Sequence, residues 1–395
     1  MPKKILILGA GAGGTIVANK LARELRKEIA KDEVEVIVLD KDNKNINSAG
    51  LTFLPFGFYT QLDIVRARSS LLSPRVKFIY GENGECSCID LKNRSVVVSS
   101  GKQYSYDYLV IATGVVFDID SVPGLAEDFT TFYTYDGALK LRDIIAGFEG
   151  GRIVIHAVRM PISCPGAPGK FAVLLDDYLR YIKGEKVRKN TDIQFLWPGD
   201  AIGPPAYNAN LTANFERRGI NLTRKFVTAE VDRKNKEVVS TQGERVKYDL
   251  LISIPPHKGA LMDSGISDEN GWVPADRHTL QYKSSTEHYD NVYVIGDAGP
   301  ADRLKTGIST HFQSLYAAQN LINDLTGVGV KQLYKGEMGC PYLDSSYTPY
   351  SMGKAYIAAW TYNRPQAKFK ATELGWMLYR MYYYLYWDMT MKGVF

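Results

Sequence analysis

The 395-residue chain is short of several things, and each shortage removes a class of function. It carries four cysteines, Cys86, Cys88, Cys164 and Cys340. That is too few for a secreted scaffold of this size held by disulfides. Their spacing is not that of a zinc ribbon and no histidine cluster accompanies them, so no metal site is expected. No run of about twenty apolar residues occurs, so no segment is expected to span a bilayer as a helix. The short apolar run in "MPKKILILGAGAGG" reads as a first strand rather than a signal peptide. Charge is unclustered, with 48 Lys+Arg against 43 Asp+Glu and a net charge of +5. Such a balance argues against a nucleic-acid partner and leaves small anions or an anionic membrane surface as mild preferences.

What is present is enough for more than one core: 45% of residues are hydrophobic, and a chain of this length is expected to divide into two domains or more. Lys3 to Leu8 is a continuous apolar strand, as in a buried parallel sheet. Gly9-Ala10-Gly11-Ala12-Gly13-Gly14 follows, then a helical pattern through Ile16, Val17, Leu21 and Leu25, then a strand from Val34 ending at Asp40. In this context GxGxxG predicts a dinucleotide site. Gly9 makes the tight turn, Gly11 lets a pyrophosphate reach the backbone, Gly14 allows close helix–strand packing, and Asp40 takes the ribose hydroxyls. Two later strands belong to the same unit: "YDYLVIATG", which ends in Thr113-Gly114, and "NVYVIGDAG", which contains Gly296 and Asp297.

A second glycine loop is also missing. The strand opening at Ile153 to His156 runs on through Ala157-Val158-Arg159-Met160-Pro161, and no glycine comes before Gly166, past Cys164. Without glycines the backbone cannot approach a second pyrophosphate, and Pro161 and Pro165 remove donors. A bound nicotinamide is therefore not expected there.

The three early and late segments resemble the FAD fingerprints of the two-dinucleotide-binding-domain flavoproteins. Four further stretches, "ISCPGAPGKFA", "IPPHKG", "RLKTGIST" and "GCPYLDSSYTPYSMGKAYIA", make the chain similar to the sulfide:quinone oxidoreductase family nearly end to end. The resemblance implies an α/β fold of two Rossmann-like domains. An FAD domain would comprise 1–114 and 286–330, a second domain with a degenerate NAD slot 115–285, and a C-terminal segment 331–395. It implies FAD held by Gly9, Gly11, Gly14, Asp40, Cys86, Thr113, Gly114, Gly296, Asp297, Lys305, Thr306 and Gly307. It also implies a redox pair, Cys164 and Cys340. Hydrosulfide attacks such a disulfide, leaving a persulfide on one sulfur and a thiolate that can reduce the flavin. A helix N-terminus after Cys164 would favour its thiolate, and Lys305 would stabilise the reduced ring by charge.

In one place the chain departs from the family. Many members carry a third cysteine in a segment resembling "FYTYDGA", and here that position is Tyr133, with Gly137 where a histidine often stands. The chain resembles the subgroup lacking this thiol, so FAD is expected to bind non-covalently. Cys86 and Cys88 lie in one strand, where alternation aims both side chains the same way. They read as structural, as do His156 and His311.

The tail "KATELGWMLYRMYYYLYWDMTMKGVF" reads as a helix from Thr372, its N-cap, to Trp387. Trp376, Tyr379, Tyr383, Tyr386 and Trp387 share a face, and Lys368, Lys370, Arg380 and Lys392 supply basic charge. This predicts an interfacial helix on a lipid surface, with a helix docked on the core as the alternative. The expected partners are sulfide, a membrane quinone reached through the tail or the aromatic residues of 342–360, and the bilayer surface, and a homo-oligomer is compatible with all of this. The expected placement is peripheral to a membrane. Two other readings share the scaffold: a type II NADH:quinone oxidoreductase, which the missing glycine loop disfavours, and a flavin subunit like that of flavocytochrome c, which the aromatic tail disfavours.

Overall fold

Strand β1 (Lys3–Leu8) is buried from Ile5 onward on both of its faces, as a parallel strand covered by helices must be. In chain order there follow α1 (Ala12–Glu24), β2 (Val34–Asp40), β3 (Lys77–Tyr80), β4 (Tyr108–Ile111), α2 (Tyr135–Gly147), β5 (Gly151–Ala157), α3 (Ala167–Tyr178), β6 (Thr191–Leu196), α4 (Pro205–Arg218), β7 (Ile220–Thr223), β8 (Leu250–Ile254), β9 (Gln281–Lys283), β10 (His288–Val294), α5 (Gly307–Thr326), β11 (Met338–Ser345), β12 (Lys354–Trp360) and α6 (Glu373–Leu385). This computed structural model describes residues 1–346, 348–349 and 351–394.

The first sheet runs β9-β10-β4-β1-β2-β3, parallel except for the edge strand β9. Strand order reverses beside β1, so a crevice opens at the carboxyl ends of β1 and β4, where α/β sheets bind ligands. The second sheet, β7-β6-β5-β8, is wholly parallel. Alternation along β5 sends Ile153 and Ile155 to one core and Val154 to another on the opposite face. The hairpin β11–β12 lies against α3 and α4 and joins the first of these cores.

Helix α6 corrects the expectation for the tail. Thr372 does cap it, accepting the Gly375 N–H at 3.0 Å. Its aromatic face, however, turns inward: Trp376, Tyr379 and Tyr383 join the core shared with α3 and β11, and Tyr386 and Trp387 are buried beside Leu71. The polar tips that would suit lipid headgroups find protein partners instead. Tyr379 and Tyr383 pair their hydroxyls at 2.9 Å, Tyr383 donates to the Ala49 carbonyl at 3.1 Å, and Trp387 donates to that of Asp63 at 2.8 Å. The face left outside is largely apolar, made of Leu374, Met377, Leu378, Met381 and Tyr384. No helix among the described residues is long and apolar enough to cross a membrane.

Candidate active site

A cavity of about 610 Å³ runs from the carboxyl ends of the first sheet to the start of α3 and the tail. Its size suits a large cofactor. At one end the glycine turn behaves as its spacing requires. Gly9 has φ +95°, and a side chain on Gly14 would collide with the Gly9 carbonyl, so both positions admit only glycine. A Cβ on Gly11 would meet nothing, which leaves that wall open to a pyrophosphate at the N-terminus of α1. Asp40 is already engaged: it accepts the Ala10 N–H at 2.6 Å and forms an ion pair with Arg68. Arg68 is a wall residue that sequence reasoning passed over. Among the described residues, five buried polar atoms without partners, Asn47 Oδ1, Arg68 Nε, Thr113 Oγ1, His257 Nε2 and Thr390 Oγ1, belong to residues lining this cavity. Buried polar groups are rarely left unpaired, so a polar ligand such as FAD fits here. Gly114, Gly296, Asp297, Lys305, Thr306 and Gly307 line the same cavity.

Cys86 lines it as well, but the expectation that Cys86 and Cys88 point the same way fails. A register shift between them breaks the alternation, so Cys86 is half-buried in the wall and Cys88 is exposed. His156 is a packing residue, with its two ring nitrogens on Thr228 (3.1 Å) and Ser253 (2.7 Å).

The far end of the cavity brings Cys164 and Cys340 together, both as free thiols. Cys164 lies in the cavity wall and Cys340 is buried behind it. Lys170, one turn into α3, places Nζ 3.9 Å from each sulfur. Its ammonium is buried. Burial alone would lower its pKa, but the two sulfurs outweigh that and push it up.

The N-terminus of α3 faces Cys340 rather than Cys164, the cysteine expected there. Helix α3 starts at Gly166-Ala167, and the sulfur seated on its N-terminus is that of Cys340, arriving from β11. The Cys340 thiol is lowered to about 6, first by the hydrogen bond from Cys164, then by the Lys170 charge, the Tyr207 hydroxyl and the Gly166 N–H. Cys164 is pushed well up by that same hydrogen bond and by burial. A side chain on Gly166 would run into Cys340 Sγ and the Tyr207 hydroxyl. The ground where a second phosphate cradle would lie is thus filled by sulfur and tyrosine.

The turn bearing Cys164 is strained and pinned. Cys164 has φ +49°, a region disfavoured by roughly 1–2 kcal/mol for a side chain of this kind. Its N–H donates to the Lys305 carbonyl at 2.5 Å, its carbonyl accepts from Ala167 N–H at 2.8 Å, and Tyr133 Oη donates to the Ser163 carbonyl at 2.9 Å. Ser163 Oγ donates to Asp297 Oδ2 at 2.5 Å. Tyr133 therefore serves as a strut for the turn. Lys305 spends its donors on the carbonyls of Asp297, Gly299 and Pro300 at 3.0, 3.1 and 3.2 Å, over the Trp272 ring. Burial lowers its ammonium to about 8, so it can act on the cavity by charge but not by a free N–H.

Sequence reasoning missed Lys170, Tyr207 and Arg68. A lysine inside the apolar run APGKFAVLL was the one available signal for Lys170. Among the quinone candidates, Tyr382 and Tyr386 of the tail line the cavity, while Tyr347 and Tyr350 lie outside the described residues.

Residues 3–155 match the family "Pyridine nucleotide-disulphide oxidoreductase". The mitochondrial sulfide:quinone oxidoreductase of Dictyostelium discoideum is 28% identical over 87% of this chain and 76% of that relative. The sulfide-quinone reductase of Aquifex aeolicus is 31% identical over 82% of this chain and 77% of that relative. The X-ray structure of the sulfide:quinone oxidoreductase from the same bacterium superposes with TM-score 0.81 at 20% identity, covering 99% of this chain and 92% of that one.

Proposed function

The chain belongs to the sulfide:quinone oxidoreductase family, and on that premise we propose that it oxidises sulfide on the Cys164–Cys340 pair and delivers the electrons to a membrane quinone. It is an oxidoreductase and a flavoprotein. The observation that carries the proposal is the shared position of Lys170, a buried ammonium 3.9 Å from two sulfurs far apart in the chain. FAD, when bound in the cavity, supplies a carrier for an electron pair between sulfur and quinone. The chain's own residues handle the sulfur. Hydrosulfide attack on a Cys164–Cys340 disulfide breaks the S–S bond and forms a new one, leaving a persulfide on one cysteine and a thiolate on the other. Negative charge thereby moves within the pair, and Lys170 neutralises it at either sulfur. Buried Tyr207 and the Gly166 N–H favour the anion at Cys340.

In an anaerobic solution of the FAD-loaded protein, sulfide should bleach the flavin and a soluble quinone should restore it, while NADH leaves it unchanged. Bleaching by NADH faster than by sulfide would overturn the proposal in favour of a type II NADH:quinone oxidoreductase.

We assign lipid contact to the outer face of α6, Leu374, Met377, Leu378, Met381 and Tyr384, with exposed Leu62 beside the Asp63 carbonyl that holds Trp387. Tail deletion is a poor test, because Tyr382, Tyr386 and Thr390 wall the cavity. Met377→Glu with Met381→Glu instead should lower binding to anionic vesicles about 100-fold, from the loss of two apolar anchors, with the flavin spectrum and Tm kept. Undiminished vesicle binding would sink the assignment.

A further inference from the structure

The carboxyl end of α3 carries two consecutive buried acids, Asp176 and Asp177, with no part in sulfur chemistry. Arg218, the last residue of α4, donates Nη1 to Asp176 Oδ2 at 2.6 Å and to Asp177 Oδ1 at 2.5 Å, and Nη2 to the Asp344 carbonyl of β11 at 2.7 Å. Asp177 Oδ2 accepts both the N–H and the hydroxyl of Ser346, at 2.7 and 2.9 Å. Asn214 of α4 donates to the carbonyls of Asp344 (3.0 Å) and Leu343 (3.3 Å) and accepts from Arg218 Nε at 2.9 Å. Arg188 holds Asp176 from the other side.

We propose that this Asp176–Asp177–Arg218 cluster is a clamp that sets the register of β11 against α3 and so positions Cys340 relative to Cys164. The inference rests on the cysteine-pair reading above. Helix α3 begins at the Cys164 turn and ends at the clamp, and β11 carries Cys340 near one end and the clamped Asp344 near the other. With about 1.5 Å per residue in a helix, Asp177 stands roughly 16 Å from Gly166. With about 3.3 Å per residue in a strand, Asp344 stands roughly 13 Å from Cys340. The pairing of β11 with β12 is irregular between Leu343 and Ser345, where the clamp grips, and regular from Cys340 to Leu343, so a slip at the clamp reaches Cys340. A disulfide tolerates a Cβ–Cβ window of only about 1 Å.

Apolar packing between α3 and β11 is non-directional and permits sliding. Buried ion pairs add little net stability over apolar replacements, yet Arg218 and Asn214 bond the carbonyls of Leu343 and Asp344 in β11, and Asp177 bonds Ser346, one residue past it, and that fixes register. Asp177 and Arg218 are positioning residues and touch no sulfur.

The test uses the full-length FAD-loaded protein, equilibrated in mixtures of a reduced and oxidised dithiol, with the state of Cys164 and Cys340 read by mass spectrometry after alkylation. Asp177→Asn and Arg218→Gln should each lower the equilibrium constant for the Cys164–Cys340 disulfide by tenfold or more and raise the pH midpoint of Cys340 alkylation. Ser346→Ala, which keeps the backbone N–H, should shift both in the same direction by less, and it covers the case in which the charge variants fail to fold. Val154→Ala hollows the opposite face of the second sheet and should lower Tm without moving either readout. Wild-type values in the clamp variants, or equal shifts in Val154→Ala, would overturn the clamp. A wild-type protein that forms no such disulfide at any ratio would remove both the clamp and the reading beneath it.

Discussion

Serine at either Cys164 or Cys340 is expected to slow flavin reduction by sulfide by at least about a thousandfold, roughly 4 kcal/mol in the barrier. A serine cannot join a disulfide, so sulfide loses the electrophilic sulfur it must attack. The two variants should nonetheless differ. Cys164→Ser leaves Cys340 on the N-terminus of α3 with Tyr207, the Gly166 N–H and Lys170 in place, and a serine hydroxyl can donate where the Cys164 thiol did. Its remaining thiol should alkylate with a midpoint near the wild-type value of about 6. Cys340→Ser leaves Cys164, which has Lys170 but no helix end, and its midpoint should lie higher. Flavin reduction at the wild-type rate in both variants would eliminate the cysteine-pair mechanism.

The glycine turn was readable because its logic is local: Gly9, Gly11 and Gly14 meet steric demands within a few residues of themselves. Helical spacing likewise showed that Trp376, Tyr379 and Tyr383 share a face. It could not show which way that face looks, since amphipathic tyrosine and tryptophan suit a core with polar partners as well as a lipid interface. Strand alternation failed at Cys86–Cys88 because a bulge leaves no mark in composition. The meeting of Cys164 and Cys340 came only from family resemblance, as no periodicity links a turn in one sheet to a strand of the C-terminal hairpin. Lys170 was hidden for a related reason. Its partners are two sulfurs, one of them from β11, and within its own helix it looks like a charge in the wrong place. Sequence order matches the helix end to Cys164, its neighbour along the chain, whereas the fold hands it to Cys340, a neighbour in space.

Lys170→Met should raise the pH midpoint of Cys340 alkylation by about one to three pH units, the usual effect of removing an adjacent opposite charge. The sign follows from the geometry. The ammonium stands 3.9 Å from each sulfur and favours the anion at both. Two unit charges about 4 Å apart at an effective dielectric constant near 20 interact by about 4 kcal/mol, an upper figure for what is lost. In the wild type the Cys340 thiol, at about 6, is mostly ionised at pH 7. In the variant the midpoint lies at about 7 to 9, so at least half of the thiol is protonated there, and flavin reduction by sulfide at pH 7 should fall by about 2- to 100-fold, recovering in part as pH rises through the new midpoint. Lys170→Arg keeps the charge but replaces a compact ammonium with a planar fork in a packed site, so its midpoint should lie between those of the wild type and Lys170→Met. A Lys170→Met protein that still titrates near 6 would assign the low Cys340 value to Tyr207, the Gly166 N–H and the Cys164 thiol alone, and would remove Lys170 from the sulfur chemistry.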